Sequence, residues 1–126
     1  DMPNVLVTGY VADLQPLFRS CAAFIVPIRV GSGMRVRILE AFARGLPVVS
    51  TTVGYEGIEA TAGEHLLMAD SAEAFCSALY RLLRDRSLGD RLGMNARRLA
   101  EERYDWRRAC AGLDALYPVA SVTALA

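Results

Sequence analysis

Two stretches, Ala23-Phe24-Ile25-Val26-Pro27 and Pro47-Val48-Val49-Ser50-Thr51, are short, nearly unbroken apolar runs with no polar face. A strand that shows no alternation must be covered on both sides, which is the situation of strands in parallel sheets. Each run is punctuated by proline and followed by glycine-bearing loop chemistry and then by apolar residues at helical spacing. Strand and helix therefore alternate, and the fold class is α/β: a Rossmann-like parallel sheet with helices on both faces. In such folds ligands sit where strands end at their carboxyl side and loops enter helices.

The same reading places the other elements. Val5 to Thr8 is strand-like and stops at Gly9, and His65 to Met68 is a further short strand. Asp13 has the chemistry of a helix N-cap, with Pro16 tolerated in the first turn and the helix reaching about Ala22. A helix from about Met34 to Arg44 ends at Gly45, with Pro47 preventing its continuation. Asp70 and Glu73 resemble a capping box before Phe75, Leu79, Leu82 and Leu83 on one face. Ser87 and Asp90 open the next helix, through Leu92, Ala96 and Leu99 to about Arg103. Asp105 caps a last one, with Trp106, Cys110, Leu113 and Tyr117 on its apolar face. Trp106 and Tyr104 are expected to anchor that helix against the core. The partial domain spans residues 1–117, and 118–126 read as a frayed tail.

Composition bounds the function. In 126 residues, 53% hydrophobic and 22% charged suffice for one core and exclude disorder. Fourteen basic residues balance fourteen acidic ones, so nothing global favours nucleic acid or an anionic membrane as partner. All fourteen are arginine, which excludes lysine Schiff-base chemistry and leaves phosphate to arginine or backbone N–H groups. Cys21, Cys76 and Cys110 are odd in number, widely spaced and set among apolar neighbours, as expected of buried free thiols in a reducing cytoplasm. The lone histidine, His65, has no ligand-like residue at helical spacing, so no metal or cofactor is expected. No apolar run is long enough to span a bilayer. Asp1 opens the chain almost inside a strand, from which we expect natural sequence to precede it.

The segment that carries chemistry is Arg29-Val30-Gly31-Ser32-Gly33-Met34-Arg35-Val36-Arg37-Ile38-Leu39-Glu40. Gly31 and Gly33 permit positive φ and close approach of backbone to a ligand. The helix start behind them offers unpaired N–H groups and about half a positive charge, suited to a diphosphate. Arg37, Glu40 and Arg44 share one polar stripe, with Glu40 ~10 Å beyond the helix start at ~1.5 Å per residue. A nucleotide, with phosphates at the helix start and a ring by the carboxylate, has that shape. An exposed salt-bridge stripe would have the same spacing. The loop is neither a dinucleotide fingerprint, since Val36 stands at the third glycine, nor a P-loop, which needs lysine. Glu56 and Glu59 could act as acids or bases, and a solvated loop explains them equally.

Gly9-Tyr10-Val11-Ala12-Asp13-Leu14, Phe24 to Pro27, Gly31 to Ala41, Gly45 to Val49 with Gly54-Tyr55-Glu56-Gly57, and the closing Asn95-Ala96-Arg97 to Tyr104-Asp105-Trp106 together strongly resemble the nucleotide-sugar-binding half of group 1 glycosyltransferases. The resemblance covers residues 4 to 117. It implies the C-terminal half of a two-Rossmann-domain (GT-B) enzyme, without its first strands and without the N-terminal acceptor domain. It also implies a nucleoside-diphosphate sugar as donor, transferred with retention and without metal. The donor-binding residues it implies are Gly31, Ser32, Gly33, Met34, Arg35, Arg37 and Glu40, with Glu40 on ribose hydroxyls and the catalytic residues unassigned. Relatives usually carry a glutamate where this chain has Ser32, a change shared by relatives with a Gly-Ser-Gly loop. Relatives order these strands three-two-one-four-five-six, so Val5 to Thr8 is expected to lie away from Phe24 to Pro27. The open strand edges could then pair with a second copy. The implied setting is cytoplasmic, peripheral to the inner membrane, in polysaccharide or glycolipid synthesis. A non-catalytic Rossmann-like interaction domain is the alternative reading.

Overall fold

The computed structural model describes residues 2–108, 110 and 111. Its elements run α1 (Gln15–Ser20), β1 (Phe24–Val26), α2 (Val36–Ala43), β2 (Val48–Ser50), a 3-10 turn (Val53–Tyr55), β3 (Leu67–Met68), α3 (Ala72–Arg84) and α4 (Arg86–Arg103). The three strands are parallel, in the order β1-β2-β3, with Ile25 opposite Val49 and Val49 opposite Leu67.

β2 is central, and all three of its residues are buried. Successive side chains on a strand point to opposite faces. Val48 accordingly enters a cluster with Phe18, Ile38 and Phe42, under α1 and α2. Val49 enters another, with Ala78, Leu82, Leu88 and Leu92 under α3 and α4. The sheet is covered on both faces, as the unbroken apolar runs require. Burying side chains such as Phe42 and Ile38 contributes about 1.5–3 kcal/mol each.

α2 ends as its sequence dictates. Gly45 adopts φ 68°, and the Leu46 N–H donates to the Ala41 carbonyl at 3.0 Å, so the last turn closes in a Schellman-type stop. Gly93 of α4 packs against this turn: a Cβ there would lie only 3.0 Å from the Gly45 carbonyl carbon.

Several expectations are corrected. Val5 to Thr8 forms no strand and joins no ladder among the described residues, and Val5, Leu6 and Val7 are 60–86% exposed. A strand is a property of a pair, and this segment has no partner strand among the described residues. β1 is an edge strand, so Ile25 is 48% exposed rather than buried. The cap of α3 is Ser71, whose hydroxyl accepts from Ala74 N–H, because the Asp70 carboxylate turns away to Thr52. The cap of α4 is Asp85, not Ser87; its carboxylate accepts from Leu88 N–H and the Ser87 hydroxyl. Leu83 is exposed, since the buried face of α3 centres on Ala78 and Leu82.

Trp106 is 79% exposed and does not anchor the core, whereas Tyr104 packs on it. Asp105 does accept from the Arg107 N–H. Cys21 and Cys76 are exposed and Cys110 half-buried. On a helix the neighbour in sequence points 100° away, so Cys76 misses the face that half-buries Phe75. Leu113, Tyr117 and the tail 118–126 lie outside the described residues.

Candidate functional site

Pro27 has no N–H to continue the ladder, and the chain leaves the sheet there. The next carbonyl, that of Ile28, accepts the Thr51 hydroxyl from the end of β2. Arg29 to Gly33 then form an exposed loop with positive φ at Gly31 (149°) and Gly33 (87°). Among the described residues nothing stands within 4 Å of where a Gly33 Cβ would be. Beneath Gly31 lies the Arg35 side chain, whose Nη1 donates to the Ser32 carbonyl at 2.7 Å. Its Nε is buried and has no hydrogen-bond partner among the described residues. The helix that follows has no side-chain cap at its start. Orphaned N–H groups and the positive end of the helix dipole thus meet the bare glycine backbone. Gly57, after the 3-10 turn, sits against Met34: its Cβ position is 3.6 Å from that of Met34.

One turn further on, Arg37 Nη1 donates to Glu40 Oε2 at 2.8 Å, and the Glu40 side chain is 33% exposed. Arg44 does not complete a side-chain stripe. Its Nη1 donates to the Glu40 main-chain carbonyl at 2.9 Å, and its guanidinium stands 4.5 Å over the Phe18 ring. Arg37, Glu40 and Arg44 line one wall of a groove of about 320 Å³, with Tyr10, Asp13 and Phe18 opposite. Gly31, Ser32 and Arg35 therefore cluster at the loop, while Arg37 and Glu40 pair along the same helix toward the groove. Residues 10–13 were invisible as site residues from spacing, because only the fold brings them across from α2. Their one signal was the Gly9 to Leu14 motif.

Of the other candidates, His65 and Glu59 hold structure, and Glu56 is exposed. His65 Nδ1 accepts from the Thr61 N–H at 3.0 Å, and its imidazole is largely buried. Glu59 approaches Arg103 at 3.7 Å, while its N–H donates to the Tyr104 hydroxyl oxygen. Among the described residues no three His, Cys, Asp or Glu side chains are grouped to hold a metal ion. No described helix is long and apolar enough to cross a membrane.

A carboxyl-end loop entering a helix in a parallel sheet is a ligand-binding arrangement shared by many families, and the comparisons decide between them. The family model for group 1 glycosyl transferases matches residues 1–85, more than half of the sequence. The chain belongs to the group 1 glycosyltransferases. Within this glycosyltransferase sequence, the loop, α2 and both walls of the groove lie inside the matched stretch, and α4 lies beyond it.

A curated relative, an uncharacterized 44.6 kDa protein in the cps region of Klebsiella pneumoniae, is 27% identical over 105 residues, which are 83% of this chain and 27% of that protein. Among solved structures, sucrose-phosphate synthase from Thermosynechococcus elongatus superposes with a TM-score of 0.73 at 24% identity, again over 83% of this chain and 27% of the other. That likeness establishes the fold, which is of the GT-B glycosyltransferase kind. The chain spans about a quarter of the length of each protein.

Proposed function

We propose that this glycosyltransferase chain binds the donor, a nucleoside-diphosphate sugar, and that the longer protein transfers the sugar to an acceptor with retention of configuration. One observation carries the reading: the uncapped start of α2, behind two glycines with positive φ, leads along the helix to Glu40 on the wall of a polar groove. The diphosphate lies on the backbone N–H groups of Gly33, Met34 and Arg35. The nucleoside extends along α2 into the groove, with the Glu40 carboxylate accepting from ribose hydroxyls. Arg37, now paired with Glu40, is within reach of the same ligand and supplies positive charge to its phosphates.

The chemistry follows from charge. As the bond from the anomeric carbon to the diphosphate breaks, negative charge grows on the leaving group. A helix N-terminus and arginines oriented before the reaction stabilise it without reorganising. In this reading the leaving-group charge is met by these groups rather than by a metal ion. Ser32 offers the donor sugar a hydroxyl where a carboxylate is usual in the family.

Titration of the full-length protein with UDP, GDP and ADP tests the reading. One of the three is expected to bind at micromolar to millimolar concentration, and Glu40→Ala to weaken it about tenfold or more, the worth of a hydrogen bond to a charged group. No binding of any of the three would overturn the reading. It would favour instead a non-catalytic interaction domain, for which the internal Arg37–Glu40 pair speaks.

A further inference from the structure

The loop from Pro27 to Met34 is anchored by packing at its two ends, where Ile28 rests on the core and Met34 lies against Gly57, and by very few hydrogen bonds. Among the described residues, one hydrogen bond joins it to anything beyond itself and α2: that from the Thr51 hydroxyl to the Ile28 carbonyl. The same hydroxyl oxygen accepts the Gly54 N–H at 3.0 Å. Thr51 thus couples the root of the loop to the 3-10 turn that begins at Val53, two residues further on. Its own N–H holds the Val26 carbonyl at 3.2 Å, and its side chain is part of a buried residue. Gly54 must be a glycine for the turn to come this close, since a Cβ would lie 2.9 Å from the Val26 carbonyl oxygen. The turn in turn leads to Gly57, which backs Met34 at the entrance of α2.

We propose that the Thr51 hydroxyl is a positioning group for the donor loop: it fixes where residues 29–33 leave the sheet and so where their backbone N–H groups stand. This rests on the donor-binding reading above. The geometry separates the hydroxyl from the fold itself. The strand pairing around Thr51 uses main-chain groups, while the hydroxyl is spent entirely on Ile28 and Gly54. Valine at this position keeps the shape and loses both bonds. Serine keeps both bonds and loses only a methyl.

Two measurements on the full-length protein test this. Trypsin cleaves after arginine, and Arg29 lies in the exposed loop, whereas Arg98 lies in α4. Cleavage in a folded protein requires local opening, so its rate at Arg29 reports how firmly the loop is held. Thr51→Val is expected to raise cleavage after Arg29 about fivefold, the effect of losing an ordinary hydrogen bond, with cleavage after Arg98 unchanged. Thr51→Ser is expected to match the unaltered protein. In the second measurement, affinity for whichever of UDP, GDP or ADP binds should fall about fivefold in Thr51→Val and recover in Thr51→Ser.

Equal cleavage at Arg29 in all three proteins would overturn the proposal. So would a serine variant as impaired as the valine one, or a valine variant that fails to fold, since the hydroxyl would then hold the sheet and not the loop. If the unaltered protein binds no nucleotide, the donor-binding reading fails, and the cleavage ratio still decides whether Thr51 holds the loop.

Discussion

At the front of α2, Gly31 and Gly33 adopt positive φ in an exposed loop, with open space where a Gly33 side chain would begin. At its rear, Gly45 also adopts positive φ, but its carbonyl is pressed against Gly93 of α4, where no side chain fits. The residue type is the same and the uses are opposite. Of the front pair, Gly33 leaves its backbone bare, while Gly31 lies against the Arg35 side chain. The rear pair lets two stretches of backbone of this chain touch. What separates the two uses is the neighbour that a Cβ would meet, and that makes the comparison testable by adding one.

The largest expected effect is at the rear. Gly93→Ala places a methyl group against the Gly45 backbone, and overpacking of this kind costs about 1–3 kcal/mol. The better helix propensity of alanine returns about 1 kcal/mol at most, so a net loss is expected in urea or thermal melts. Gly89→Ala, one turn earlier, meets only Pro47 Cγ at 3.7 Å, an ordinary contact, and should stabilise by up to about 1 kcal/mol. If both changes move the melting temperature alike, the close approach of α2 and α4 is wrong.

Next comes the front. Gly33→Ala has room but must hold φ 87°, which costs about 1 kcal/mol if the loop keeps its shape. The expected signature is weaker nucleotide binding with a melting temperature only slightly lowered. A smaller effect belongs to the Arg37–Glu40 pair. A double-mutant cycle in the absence of ligand should give no more than about 0.5 kcal/mol of coupling, as for exposed pairs three apart on a helix.

The subtlest expectation is in pH. The Thr52 N–H and hydroxyl hold the Asp70 carboxyl below its ordinary value, and the Leu88 N–H with the Ser87 hydroxyl does the same for Asp85. Both pKa values are lowered in the folded state, so their stabilising effect is complete above the unfolded value and is lost as pH falls through the folded one. Acid melts of Asp70→Asn and Asp85→Asn should each show a shallower decline of stability below about pH 4 than the unaltered protein.

Much of the frame was legible from residues alone. Val48 and Val49 need burial on both faces, Gly45 and Pro47 end a helix, and Leu92 and Ala96, one turn apart, are both buried; each is a local pattern that the fold obeys. Patterns of this kind failed where the outcome depends on a partner. Val5 to Thr8 has a strand's composition and pairs with no strand among the described residues. Asp70 has a cap's chemistry, but Thr52, eighteen residues earlier in the chain, competes for it. The site divides in the same way. Gly31 to Glu40 stood out because its residues are contiguous. The groove wall at Tyr10 to Asp13 and the Thr51 hydroxyl, which donates to the Ile28 carbonyl, come from other parts of the chain, and no spacing within the segment could announce them.

α4 has a consequence for how the molecule melts. Its first half contributes Leu88 and Leu92 to the cluster on one face of the sheet, and its second half contributes Ala96 and Ala100 to the cluster on the other. The helix is continuous from Arg86 to Arg103, so neither cluster can come apart without removing part of the helix that completes its neighbour. The two faces should therefore unfold in a single cooperative transition. Amides on α2 and α3, though they lie on opposite sides of the sheet, should exchange their slowest hydrogens through the same global opening.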